Sequence, residues 1–174
     1  MEKTERVFRE TLPELLVKIE SAKAVAPTNH EFDKRKKQEF ALTNSFLKGE
    51  ITSQEYESRE AELEKLHGAL EFSTLPEFSR ALKAIGFPKE LLEEILAHEN
   101  AHMNRIEAYG ITGTYLVQFY KKLTSDTKSI NIHPEVSYGF PIGTTEVEKR
   151  RILKEIIEAP EDLSYYDKMQ LGIK

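Results

Sequence analysis

Two of the five histidines in this 174-residue chain, His98 and His102, stand four residues apart with a glutamate, Glu99, between them. The pattern is H-E-x-x-H, set in Ile95-Leu96-Ala97-His98-Glu99-Asn100-Ala101-His102-Met103. On an α-helix, residues four apart share a face, so both imidazoles can reach one metal ion from the same side. Neutral imidazole is a good zinc ligand, and this spacing is a zinc-binding pattern. Glu99 lies about 100° further round the helix, where its carboxylate reaches a metal-bound water more readily than the metal. The residues therefore nominate His98 and His102 as ligands of Zn²⁺ and Glu99 as general base.

A helix must hold this constellation. At about 100° per residue, Leu91, Ile95, His98, His102, Ile106 and Tyr109 fall in one arc about 80° wide, with Glu99 at its edge. Lys89, Glu93 and Glu107 point elsewhere. The histidines are thus expected on the inward face. Pro88 suits the first turn, Glu90, Glu93 and Glu94 favour the positive end of the helix dipole, and Gly110 suits the C-terminal cap.

The segment resembles the active-site helix of the zincins, the H-E-x-x-H zinc metallopeptidases. The resemblance covers the motif and its neighbours: Leu96, Ala97, Asn100, Ala101 and Met103 are uncharged, as that family prefers, and Asn104 is more polar than usual. Ala108 stands where the metzincin branch carries a third histidine. The resemblance implies hydrolysis of a peptide or protein substrate, with Glu99 passing the water proton to the leaving amine. It also implies a sheet ahead of the helix whose edge strand binds the peptide, whereas the strand-like segments here follow the helix.

Two histidines leave the usual set of protein ligands one short. Glu107 lies about 140° from His102 and is excluded. His133 and Glu135 share one face of a strand-like segment and remain candidates. Glu146 falls in the first turn of a later helix, within its apolar arc near Leu153 and Ile157, where an unpaired carboxylate would be costly to bury. Zincins with a glutamate as third ligand take it from a downstream helix, so the resemblance favours Glu146. Tyr109, Tyr115, Tyr138 and His133 are candidates to stabilise an oxyanion. A competing reading pairs Glu64-x-x-His67 with Glu99-x-x-His102 as a di-metal carboxylate site on a helical bundle. A third is a non-enzymatic interaction domain in which the motif arose by chance.

The rest of the chain supplies the frame. Glu5–Lys23 reads as a first helix that Pro13 and the Thr11-x-x-Glu14 capping box can split, and S/T-x-x-E capping boxes open further helices at Thr28, Thr52, Thr74 and Thr145. These helices are expected to run to about Lys23, Leu47, Leu70, Gly86 and Glu158, and residues 162–171 add a short one. The run Lys34-Arg35-Lys36-Lys37 reads as a solvated helix face. Residues 111–120 and 129–138 are rich in β-branched and aromatic types and flank the turn cluster Thr124–Thr127, predicting a β-hairpin. Pro134 makes the second strand an edge strand. The expected fold is α+β, mainly α, with about five to seven helices and a small β-hairpin after the motif helix. We expect one domain over 1–174, with a helical part to 86 and the motif helix, hairpin and C-terminal helices from 87.

Charged residues at 32% and hydrophobic ones at 39% fit a globular chain, and a net charge of -5 argues against a nucleic-acid partner. Without cysteine, thiolate zinc sites and disulfides are excluded. Met1–Arg6 lacks the apolar core of a signal peptide and no stretch is long enough to span a membrane, so the expected location is cytoplasmic.

Overall fold

A computed structural model describes residues 8–65, 69–123 and 128–173. In chain order they form α1 (Leu12–Ala24), α2 (Asn29–Leu47), α3 (Ser53–Lys65), β1 (Ala69–Phe72), α4 (Leu75–Ile85), α5 (Lys89–Ala108), β2 (Thr114–Leu123), β3 (Lys128–Ser137), α6 (Glu146–Ile157) and α7 (Tyr165–Leu171). The fold is α+β and mainly α, as expected. No helix among the described residues is long and apolar enough to cross a membrane.

The helix starts follow the capping boxes. Thr11, Thr28, Thr74 and Thr145 each accept a hydrogen bond from the backbone N–H three residues on, satisfying a donor that the first turn leaves free. Gly86 ends α4 at φ 110°, a conformation that favours a residue without Cβ. Pro88 is the N-cap of α5, one position earlier than its expected place in the first turn.

The hairpin forms as predicted, with β2 and β3 antiparallel and Gln118 opposite His133. The turn cluster Thr124–Thr127 lies outside the described residues. The third predicted helix, however, ends sooner than Leu70. Residues 69–72 form β1, paired antiparallel with β2 in the order β1-β2-β3. The propensity of Ala69, Leu70 and Glu71 for helix yields to the open edge of β2, which offers backbone partners and an apolar wall for Leu70 and Phe72. One strand therefore precedes the motif helix, and β3 is an edge strand, consistent with Pro134.

The two faces of the sheet have different jobs. Tyr115, Val117 and Phe119 of β2, with Ile130, Ile132 and Val136 of β3, pack into the main core with α1, α4 and α5. Residues directly opposite in the pairing share a face, so Leu116, Gln118, His133 and Glu135 all look the other way. That polar face is covered by α2: Phe32 stacks on Tyr120 at 4.3 Å, and Lys36 reaches Glu135 at 2.9 Å. A second core joins Leu42 and Phe46 of α2, Tyr56 of α3, and Leu153 and Ile157 of α6.

The motif helix approaches the sheet closely at the start of β2. A Cβ on Gly113 would lie 2.9 Å from Met103 Sδ and 3.2 Å from the Ser137 carbonyl oxygen. Gly113→Ala is expected to lower stability by about 1–3 kcal/mol, seen as a lower urea midpoint at unchanged slope. An unchanged midpoint would mean that Met103 swings aside at no cost.

Candidate metal centre

α5 presents a buried face formed by Leu92, Glu99, His102, Met103 and Ile106. This differs from the predicted arc. Leu91 is 42% exposed, and Glu99 sits near the middle of the inward stripe rather than at its edge. Leu92, Met103 and Ile106 set that direction by packing into the main core. His98 and His102 lie along one flank, with side-chain exposures of 22% and 7%.

The third group beside the two histidines is Asp167, from α7. Its Oδ2 lies 3.0 Å from His98 Nε2 and its Oδ1 lies 3.3 Å from His102 Nε2. Among the described residues these three form a group whose ligand atoms lie within 4.8 Å of one another. The two Asp167 contacts, at 3.0 and 3.3 Å, are close to the roughly 3.3 Å between neighbouring ligand atoms of a tetrahedral zinc and equally to hydrogen-bond lengths.

Hydrogen bonding fixes one tautomer. His102 Nδ1 is 2.7 Å from the Ile156 carbonyl oxygen. A carbonyl oxygen only accepts, so Nδ1 carries the proton and donates. That bond aims Nε2 at the Asp167 carboxylate, where a proton on Nε2 or a metal ion between the two can bridge them. Asp167 also accepts from the Ser164 backbone N–H at 3.1 Å, which fixes its rotamer. Burial opposes its ionisation, but hydrogen bonds from His102 and His98 outweigh that and hold the carboxyl well below the usual carboxylate range.

Glu99 opens onto the same cavity, of about 140 Å³, as His98, His102 and Asp167. It makes no hydrogen bond to another described residue. Burial, then the nearby Asp167 and Glu135 charges, push its carboxyl well above its ordinary value, with Lys36 acting weakly in the opposite sense. A carboxyl tuned upward in this way holds a proton more readily than an exposed one, as a general base must.

No protein-family model, no curated protein and no solved structure matches this chain.

The fold does not bring Glu146 to the histidines. Its carboxylate accepts from the Ser53 backbone N–H at 3.0 Å and from the Ser53 hydroxyl, capping α3, and it lies 3.3 Å from Arg150 Nη2. Arg150 itself donates to the Phe46 and Ile51 carbonyls, which docks the start of α6 on the α2–α3 turn. Glu146 is exposed there, so the burial cost that favoured it as a ligand does not arise.

His133 and Glu135 line the cavity but belong to a separate network. Lys36, only 3% exposed, bonds both Glu39 and Glu135 at 2.9 Å; Glu135 also accepts from Gln118 at 2.8 Å and lies 3.3 Å from His133 Nε2. Lys36 is thus not part of a solvated face. The i, i+4 spacing Phe32, Lys36, Phe40 carries it inward. Of the oxyanion candidates, Tyr138 and His133 line the cavity. Tyr115 instead stacks on Phe78 and donates to Asn100, and Tyr109 packs against the main core. His67 and the Glu64 side chain lie outside the described residues.

Asp167 carried no sign of its role in the sequence. It is the fourth residue of a Ser164-x-x-Asp167 capping box, which explains it locally as a helix-start residue.

Proposed function

We propose that the chain is a zinc-dependent hydrolase acting on peptide bonds, with His98, His102 and Asp167 as ligands and Glu99 as general base. The observation that carries this reading is the convergence of Asp167 on both histidines, with His102 Nε2 aimed at it by the Nδ1 bond to Ile156. Bound there, Zn²⁺ would lower the pKa of a coordinated water towards neutrality and polarise a carbonyl. Glu99 takes the proton of the attacking water and delivers it to the departing amine. Tyr138, kept protonated by burial and then by the nearby Glu60 and Asp167 charges, is the donor to the developing oxyanion. The β3 edge supports a peptide substrate: its cavity-lining residues continue to Tyr138, and an extended chain can pair with an open edge.

Elemental analysis after zinc loading tests the ligand set. Wild type is expected to hold one zinc, and His98→Ala, His102→Ala and Asp167→Ala to lose it. Changing a residue that only hydrogen-bonds to a metal ligand costs about 10–100-fold in affinity, and removing a ligand should cost more. Glu146→Ala should keep its zinc and lose only the cap on α3. Full metal in Asp167→Ala would remove it from the site. A wild type that takes up no zinc would make the trio a hydrogen-bonded anchor for α7.

A further inference from the structure

We infer that the cavity beside the metal centre is a binding site for a protonated nitrogen group, the ammonium of an amine-bearing ligand. Gln118 supplies the first observation. It is 4% exposed and lines the cavity. Its Nε2 donates to Glu135 Oε1 at 2.8 Å, and because a carboxylate only accepts, this fixes which way the amide faces. Gln118 Oε1 is then a buried acceptor with no partner, a group that native proteins almost always satisfy. What it lacks is an N–H or O–H donor.

The charge of the cavity says which kind of donor. Five carboxylates line it, those of Glu39, Glu60, Glu99, Glu135 and Asp167. Among the described residues that line it there is no arginine, and Lys36 is the one lysine. Lys36 is already committed to Glu39 and Glu135. An anionic ligand would meet surplus negative charge, whereas a cation offsets it. A zinc ion at the histidines is itself partly offset by Asp167 and Glu99, so the remaining carboxylates still favour a cation. Phe40, Tyr138 and Tyr166 also line the cavity, and aromatic rings can hold a cation. In a peptide the group is either a free α-amino terminus or a lysine side chain; the chemistry is the same. What happens to the ligand rests on the hydrolase reading; its binding does not.

Calorimetric titration of zinc-free and zinc-loaded protein with three probes separates these cases. Nα-acetyl-L-lysine amide carries only the side-chain ammonium, L-norleucine amide only the α-ammonium, and Nα-acetyl-L-norleucine amide neither. One ammonium probe is expected to bind roughly 10- to 100-fold more tightly than the neutral one, and which one does so names the source. Gln118→Met should reduce that preference roughly tenfold; if this variant does not fold, the wild-type comparison alone decides. Equal binding of all three probes, or binding of none, overturns the inference. An ammonium preference in a protein that takes up no zinc sustains it and sinks the hydrolase reading instead. Zinc-dependent hydrolysis with no preference sinks this inference alone.

Discussion

Glu99→Gln is expected to keep its zinc and to hydrolyse a mixed peptide library roughly 10²–10⁴-fold more slowly than wild type. Glutamine has nearly the shape of glutamate but cannot accept the proton of the attacking water, so the loss falls on the chemical step. A second readout needs no substrate. The Glu99 carboxylate is buried, makes no hydrogen bond to a described residue and faces the charges of Asp167 and Glu135. Its carboxyl is raised above its ordinary value, so the ionised form costs stability above that value and the cost is relieved as pH falls. The neutral amide removes it, and at neutral pH Glu99→Gln should be more stable than wild type by about 0.5–2 kcal/mol. Loss of zinc in this variant would make Glu99 a ligand, as the di-metal reading requires. Full activity would end the general-base assignment.

The local features were the most legible. A threonine followed by glutamate three residues later marks a helix start whatever surrounds it, because the donors it satisfies belong to the same turn. The hairpin was legible for a similar reason, since alternation in residues 129–138 separates a core face from a polar face. What alternation did not disclose is that the polar face is covered. Asn131, His133 and Glu135 look like solvent-facing residues until α2 is laid across them, and only the inward spacing of Lys36 hinted at a buried partner.

The candidate site divides in the same way. His98, Glu99 and His102 lie within one turn and could be read together. Asp167 comes from a helix 65 positions after His102 and is brought in by tertiary packing, through contacts of α7 with α2 and α6. Glu146 was chosen on the argument that a carboxylate in an apolar arc needs a cation. That argument fails because the first turn of α6 overhangs the α2–α3 turn, where the Ser53 backbone N–H and hydroxyl supply its partners. β1 was missed because a four-residue segment with Ala, Leu and Glu carries helix propensity, and its pairing partner begins 42 positions after β1 ends.

Lys36→Met is expected to destabilise the protein by about 3–5 kcal/mol at pH 7, the cost of breaking a buried ion pair by removing one partner. The side chain is 4% exposed, and its ammonium bonds Glu39 and Glu135 at 2.9 Å each. Methionine fills similar space but leaves two carboxylates without their cation. For Glu135, burial opposes ionisation, and Lys36 and then His133 overcome it, so its folded pKa lies below the ordinary 4.5. Its stabilisation is therefore present above 4.5 and lost as pH falls through the folded value. For Lys36, burial again works against the charge and the two glutamates outweigh it, raising the folded pKa above the ordinary 10.5. That contribution is complete below 10.5 and lost only as pH rises through the folded value. Between about pH 5 and pH 10 the network is at full strength, and the variant should show its largest deficit there. Below pH 4.5 wild type loses the Glu135 contribution. In the variant Glu135 has lost its cation and burial dominates, so acidification relieves it. The stability gap measured by urea unfolding should hold from pH 7 to about pH 5 and narrow as the pH falls further, to about pH 3.5. Adding Glu39→Gln and Glu135→Gln to Lys36→Met should recover much of the loss at pH 7, since no buried charge is then left unpaired. A gap that stays constant with pH, or a triple variant no more stable than Lys36→Met, would show that packing of the lysine stem, and not its charge, holds α2 to the sheet.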